Sequence, residues 1–172
     1  MLTIPLPSAG SEASFWMCSL AIPPRSGLVA RYRLIFHANR LEGPYKYVKP
    51  AMTTPQPSEA LYPGGILQVG TRYFWLCSYS EDVPLVWPKG KISGRMAVSD
   101  DFLNWRWLSA SSLIEPGLPP SFDDMYALEF DFLRVPQTNR CRIYYTARSA
   151  RWGQKAIACY SLRVNSDHFA KL

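Results

Sequence analysis

Two carboxylates stand two residues apart in an apolar segment in the C-terminal third of the chain. Glu129 and Asp131 alternate with apolar residues over 128–132. Because successive side chains of a strand point to opposite faces, this spacing predicts that the two carboxylates share one face. Such a pair can supply a general acid and a general base. The alternative is an ordinary polar face whose carboxylates pair with nearby arginines, which include Arg134, Arg142 and Arg148.

Other polar residues that could do chemistry lie at predicted strand ends. Asp82 precedes Val83 and Pro84, and Asp123 and Asp124 follow Phe122, so these acids either line a pocket or are solvated loop charges. His37 follows Phe36 on a predicted strand, where it is either a ligand-binding side chain or a hydrogen-bonded strand histidine. Asp100 and Asp101 fit a tight turn in which an Asp side chain bonds the backbone two residues on.

Several kinds of site are not predicted. The chain has no G-x-S-x-G segment and no C-x-x-C pair, and its two histidines are too few for a zinc site, so we expect no metal and no cofactor. Aromatic or aliphatic residues lie within two positions of each of the four cysteines, which favours buried free thiols and a cytoplasmic, reduced protein. The four are Cys18, Cys77, Cys141 and Cys159.

The composition indicates one all-β domain over residues 1–172. The 172 residues are 48% hydrophobic and 14% aromatic, which is enough for one buried core, and 15 Pro and 10 Gly divide them into short segments. We expect no signal peptide and no membrane span, because no window approaches the about 20 apolar residues that a span requires. The net charge of +6 is a mild excess. The basic residues within 134–171 are either a solvated face or a site for a phosphate, a nucleic acid or an acidic partner, and nucleic acid is not the expected one.

A repeat organises the chain. Phe15-Trp16-Met17-Cys18-Ser19 matches Phe74-Trp75-Leu76-Cys77-Ser78, and Ile143-Tyr144-Tyr145-Thr146-Ala147 is a looser copy. These aromatic and β-branched runs predict central strands, and the flanking segments predict a four-stranded meander in each unit. Such units are typical of propeller blades. The prediction is a partial β-propeller of about three blades over 13–49, 64–109 and 126–165, in which the first unit lacks its inner strand and the last its outer strand.

These units resemble part of the five-bladed β-propeller glycoside hydrolases, the superfamily of arabinanases, β-xylosidases, invertases and levansucrases. Residues 94–105, GRMAVSDDFLNW, are similar to the third strand and following turn of its blades, and residues 41–45, LEGPY, to another form of that feature. Residues 62–65 followed by 70–74 look like the hairpin between the first and second strands. The likeness extends over most of residues 13–165.

The resemblance implies that acids project from the inner strands of different blades. Glu129 is the best match to such an acid, with Asp131 or Asp82 assisting, whereas the predicted inner strand at 65–69 contains no acid. In a carbohydrate site, Trp87, Trp152 and His37 would bind the sugar, since sugar rings stack on aromatic side chains. Trp105 and Trp107 are expected in the packing between blades.

Two classes of function follow from this resemblance. The first is a glycoside hydrolase-like protein that acts on or binds carbohydrate, incomplete and not catalytic by itself. The second is a non-enzymatic module for protein interaction. Open sheet edges at the two ends of a partial propeller predict self-association in either case.

Overall fold

The computed structural model describes residues 2–6, 14–21, 32–53, 60–62, 64–80, 91–149, 151, 153 and 155–163, with the backbone alone for some of the strand residues. Every regular element in these ranges is a β-strand, so the described part of the chain contains no helix that could cross a membrane. The strands are β1 (Leu2–Leu6), β2 (Ser14–Ala21), β3 (Tyr32–Ala38), β4 (Lys46–Thr53), β5 (Ala60–Tyr62), β6 (Ile66–Val69), β7 (Arg72–Ser80), β8 (Ser93–Ser99), β9 (Arg106–Trp107), β10 (Tyr126–Arg134), β11 (Arg140–Arg148) and β12 (Lys155–Arg163).

The strands form three antiparallel sheets in chain order. The first sheet has the order β1-β2-β3-β4, and the third has the order β10-β11-β12. The middle sheet has the order β5-β7-β8-β9, with β6 also paired to β7. Because β5 pairs with the end of β7 and β6 with its beginning, these two short strands together make one interrupted inner strand.

The prediction that the first unit lacks an inner strand is wrong. β1 pairs with β2 over Leu2–Leu6, upstream of the unit predicted to begin at residue 13. The repeat does not reveal this strand because its sequence, LTIPL, contains a proline and stands outside the repeated motif. The third sheet has three strands within the described residues.

The middle sheet packs between the other two, which explains why β7 is buried along nearly its whole length. On one face, Tyr73 and Trp75 join a core cluster with Ile35 of the first sheet. On the other face, Phe74 joins a cluster with Ile143 of the third sheet. The aromatic residues of the repeat in β7 therefore contact a neighbouring sheet on each face. The blades of a propeller pack against one another in the same way.

Smaller packing predictions have mixed outcomes. Trp105 and Trp107 pack against the cluster between the first and middle sheets, as predicted. Cys77 and Cys141 are buried free thiols, but Cys159 is exposed, so the burial prediction is wrong for Cys159. Its strand, β12, forms the edge of the third sheet within the described residues, and little of that strand is covered. The side chain of Cys18 lies outside the described residues.

Candidate functional site

Glu129 occupies a β-bulge in β10. Leu128 pairs with Thr146 and Asp131 pairs with Tyr144, so two residues of β10 stand opposite one residue of β11. The backbone of Glu129 has φ 59°, in the left-handed region that residues with a side chain seldom adopt. A bulge with its first residue in this conformation usually carries glycine there. A glutamate at this position is therefore held by its surroundings.

Two hydrogen bonds fix this glutamate. Its backbone N–H donates to Oγ of Ser78 at 2.9 Å, and Ser78 is fully buried in the middle sheet. Its carboxylate Oε2 accepts a hydrogen bond of 3.0 Å from the hydroxyl of Thr146. The side chain of Glu129 is exposed. The bulge therefore presents the carboxylate to solvent while the backbone beneath it is tied to the neighbouring sheet.

Phe130, the second residue of the bulge, turns inward and anchors it. Its ring is 2% exposed and belongs to the core between the middle and third sheets. A Cβ at Gly94 would lie 2.6 Å from Cζ of Phe130, so the glycine makes room for the ring. Burial of this ring stabilises the bulge by the usual hydrophobic effect.

Asp131 lies where the inner strands of the middle and third sheets meet. Gly65 donates its N–H to the carbonyl of Phe130 at 2.6 Å, and a Cβ at Gly65 would lie 2.9 Å from Oδ1 of Asp131. The same Oδ1 accepts a hydrogen bond from the N–H of Phe132 at 2.8 Å. The close approach of these two strands requires a glycine at position 65.

The bulge changes the interpretation of the carboxylate pair. The prediction of a shared face assumed regular alternation, and the register shift between Leu128 and Asp131 interrupts that alternation. Glu129 and Asp131 make no ion pair with Arg134, Arg142 or Arg148 within the described part of the chain, so the ordinary salt-bridged face is not what forms.

Arg148 lies on the same outward face of β11 as Thr146. Its Nη1 donates to the hydroxyl of Tyr126 at 3.3 Å, and its guanidinium carbon lies 5.8 Å from the centroid of that ring. Its Nε is buried and has no hydrogen-bond acceptor among the described residues. Lys155 stands directly opposite Arg148 on β12 and is exposed. The candidate site therefore combines one carboxylate with two cations.

Sequence reasoning missed the roles of Ser78 and Thr146, and it treated Arg148 as a possible salt-bridge partner and as one of the basic residues within 134–171. Ser78 ends the repeated F-W-x-C-S motif, whose pattern indicates packing alone. The sequence of β11 does indicate which of its side chains share the outward face. Buried residues alternate there with arginines, tyrosine and threonine, which places Thr146 and Arg148 on the same side.

His37 lies at the opposite end of the sheets from Glu129. Its ring centroid is 4.6 Å from that of Trp16, and Trp16 and Tyr73 both contact Phe102. Tyr73 stands near the start of β7, whereas Ser78, which holds Glu129, is five residues further on, roughly 16 Å along the strand. His37 lines a separate cavity of about 320 Å³ beside the β3–β4 turn. The structure therefore does not bring His37 to Glu129.

The remaining predicted site residues are Asp82, Trp87 and Trp152, and all three lie outside the described residues. Asp123 and Asp124 are buried, not solvated, so that interpretation of them is wrong. Asp123 accepts hydrogen bonds from Tyr145, Ser121 and Gly117 and thereby fixes the segment before β10. Burial, with the charge and the hydrogen bond of Asp123 as further causes, raises the pKa of Tyr145 to about 12.

The described residues hold no group of three or more His, Cys, Asp and Glu side chains placed to bind a metal ion. A second open cavity, of about 600 Å³, lies between the β6–β7 turn and residues 134–139. Neither cavity is lined by Glu129 or Asp131.

The fold is found again in solved glycoside hydrolases. The GH32 beta-fructofuranosidase of Bombyx mori matches 91% of this chain with a TM-score of 0.67 and 14% identity, and the match covers 31% of the enzyme. The sucrose-6-phosphate hydrolase of Lactobacillus gasseri matches 88% of this chain, with 29% of its own length covered, a TM-score of 0.64 and 15% identity. A further glycoside hydrolase matches 87% of this chain and 40% of its own length, with a TM-score of 0.65 and 17% identity.

These likenesses define the class of fold. The described strands form an all-β arrangement of three antiparallel sheets that resembles part of the five-bladed glycoside hydrolase propellers. The chain spans about a third of the length of the Bombyx mori enzyme that it resembles. No protein-family model matches the sequence, and no curated protein matches it.

Proposed function

We propose that this chain binds a glycan at the outward face around Glu129 and that it does not hydrolyse glycosidic bonds by itself. The observation that carries the proposal is the conformation of Glu129, a glutamate at positive φ that is tied to Ser78 and exposes its carboxylate. Strained backbone that its surroundings hold in place is concentrated at functional sites. Carboxylates bind sugar hydroxyls as hydrogen-bond acceptors.

The acids on the inner strands favour binding over hydrolysis. Glycoside hydrolysis usually requires two carboxyl groups on either side of the scissile bond. Among the described inner strands, β10 supplies Glu129 and Asp131, whereas β1, β5 and β6 contain no acid. Enzymes of the class that the chain resembles draw these acids from different blades, whereas the described inner strands of this chain supply acids from one sheet only.

The solved relatives support a carbohydrate ligand. A mutant of the Bombyx mori enzyme that was solved with sucrose matches 91% of this chain with a TM-score of 0.70. A shared fold carries many functions, so the ligand class has to be tested directly.

The test is a panel of oligosaccharides and chromogenic glycosides, measured with the purified chain and with Glu129→Gln. We expect glycan binding without product release, and we expect Glu129→Gln to weaken binding about tenfold because a charged acceptor is lost. Glu115→Gln, an exposed glutamate outside the site, is the matched control and should bind as the wild type does. Turnover by the wild type that Glu129→Gln abolishes would instead make the chain an enzyme. No response to any glycan would favour the protein-interaction module.

Self-association is part of the same proposal. β12 is the edge strand of the third sheet within the described residues, and the side chain of Ile157 on it is 82% exposed. An uncovered edge strand pairs readily with another chain. Light scattering should give the mass of a dimer or a larger assembly, whereas a monomer at all concentrations would contradict this part.

A further inference from the structure

Arg148 stands next to Glu129 on the outward face of the third sheet. Thr146, whose hydroxyl donates to Glu129, and Arg148 are two residues apart on β11 and point to the same side. Residues at this spacing are about 6.6 Å apart along a strand. Among the described residues the guanidinium of Arg148 and the carboxylate of Glu129 make no ion pair with each other, so each can interact with a ligand on this face.

The guanidinium of Arg148 has unused hydrogen-bonding capacity. It has five N–H donors, and its one hydrogen bond among the described residues goes to the hydroxyl of Tyr126. Its Nε is enclosed by protein without an acceptor. Because Nε itself is out of reach of a ligand, an anion would bind the outer nitrogens of the guanidinium, which carry the other four N–H donors.

The surroundings of Arg148 add positive charge. Lys155 lies directly across on β12, and Arg151 follows in the next segment, and both are exposed. The ring of Tyr126, which is fully buried, lies 5.8 Å from the guanidinium carbon and donates no positive charge of its own. These features together favour a negatively charged group on the ligand.

We propose that Arg148 is an anion subsite and that the glycan bound beside Glu129 carries an acidic substituent, a carboxylate or a phosphate. Arginine presents a planar pair of donors that matches both groups. Glu129 accepts hydrogen bonds from hydroxyls of the same sugar. The proposal rests on the proposed glycan binding and specifies the substrate class.

Calorimetric titration tests it with matched ligands. The probes are a uronic-acid oligosaccharide, its carboxyl-reduced neutral counterpart, the 6-phosphate of the neutral sugar, and inorganic phosphate. We expect an acidic sugar to bind the wild type at least about tenfold more tightly than the neutral one, with a preference that weakens as salt rises. Whether the carboxylate or the phosphate form binds better identifies the substituent.

Variants assign that preference to one side chain. Arg148→Gln should bind acidic and neutral sugars equally, and Arg148→Lys should keep only part of the preference because an ammonium lacks the planar fork. Arg140→Gln, which removes an exposed arginine at the far end of the same face, should keep the full preference. If Arg148→Gln does not fold, the proposal is still tested by two measurements. These are the preference of the wild type for acidic over neutral sugar and the reduction of that preference in Arg148→Lys.

Other outcomes separate the two proposals. Equal binding of acidic and neutral sugars to the wild type, with weaker binding to Glu129→Gln, would overturn the anion subsite and leave the glycan site standing. Inorganic phosphate binding as tightly as the acidic sugars would also overturn it. No binding of any sugar would overturn both.

Discussion

The backbone N–H of Glu129 donates to the hydroxyl of Ser78 across the boundary between the third and middle sheets. This bond connects the candidate site to β7, which is buried along nearly its whole length. The position of the carboxylate therefore depends on how the two sheets pack, and not on β10 alone. Substitutions at Ser78 should affect binding although its side chain is buried away from solvent.

Ser78→Ala should destabilise the protein and weaken glycan binding together. The substitution leaves the N–H of Glu129 without its acceptor, which costs about 1–2 kcal/mol. Urea denaturation and calorimetric titration measure the two effects. Ser93→Ala is the matched control, since it removes another buried hydroxyl, paired with Ser112 at 2.7 Å on the middle sheet. That control should lose stability but keep its affinity, and equal losses of affinity in both variants would contradict a specific role for Ser78.

The conformation of Glu129 predicts a difference between two variants that both lack the carboxylate. Glu129→Gly should be more stable than Glu129→Ala by about 1 kcal/mol, because glycine adopts a positive φ without steric cost. Both should bind glycan more weakly than the wild type. Thermal denaturation measures the difference. An alanine variant as stable as the glycine variant would show that the bulge relaxes and that no strain is held there.

The sheets could be predicted from sequence because their signal is local and repeated. The motif ending in Cys77-Ser78 marks a strand buried on both faces, and the segment through Asp100 and Asp101 marks a turn. Asp101 does accept a hydrogen bond from the N–H of Leu103, two residues on, as predicted. β1 could not be predicted in this way. Its five residues carry no repeated motif, and it forms a strand because it pairs with β2.

The site was less predictable because it depends on a break in the regular pattern. Regular alternation predicts Glu129 and Asp131 on one face, but no glycine in the sequence marks the bulge at Glu129. The hydroxyl that accepts the backbone N–H of Glu129 belongs to Ser78, 51 residues earlier in the chain. Residue type alone groups His37 with Glu129, and only the sheet topology places them at opposite ends.

Glycines at the inner strand of the middle sheet should differ sharply in their tolerance of a methyl group. A Cβ at Gly64 would lie 1.6 Å from the carbonyl oxygen of Leu76. That oxygen belongs to the backbone of a central strand, so it cannot move aside as a flexible side chain could. Gly64→Ala should therefore abolish or severely impair folding. Gly70→Ala meets no atom within 4 Å and should cost only about 1 kcal/mol for its φ of 61°. Circular dichroism and urea denaturation distinguish them, and similar stabilities would contradict the close approach at Gly64.

The turn after β8 should make the protein sensitive to acid. Burial acts to raise the pKa of Asp101, but hydrogen bonds from Asn104, Leu103 and Ser99 outweigh it and lower the pKa to about 2. Because the folded pKa lies below the unfolded one, near 3.9, the ionised carboxylate stabilises the fold above about pH 4. That stabilisation is lost as the pH falls toward 2.

Asp101→Asn should remove this part of the acid sensitivity. Urea midpoints at pH 5 and pH 2.5 should differ less in the variant than in the wild type, because the amide cannot be protonated in this range. Glu115→Gln controls for the loss of one carboxylate elsewhere on the surface and should retain the acid sensitivity of the wild type. If Asp101→Asn is as sensitive to acid as the wild type, the hydrogen bonds at Asp101 do not stabilise the turn in its ionised form.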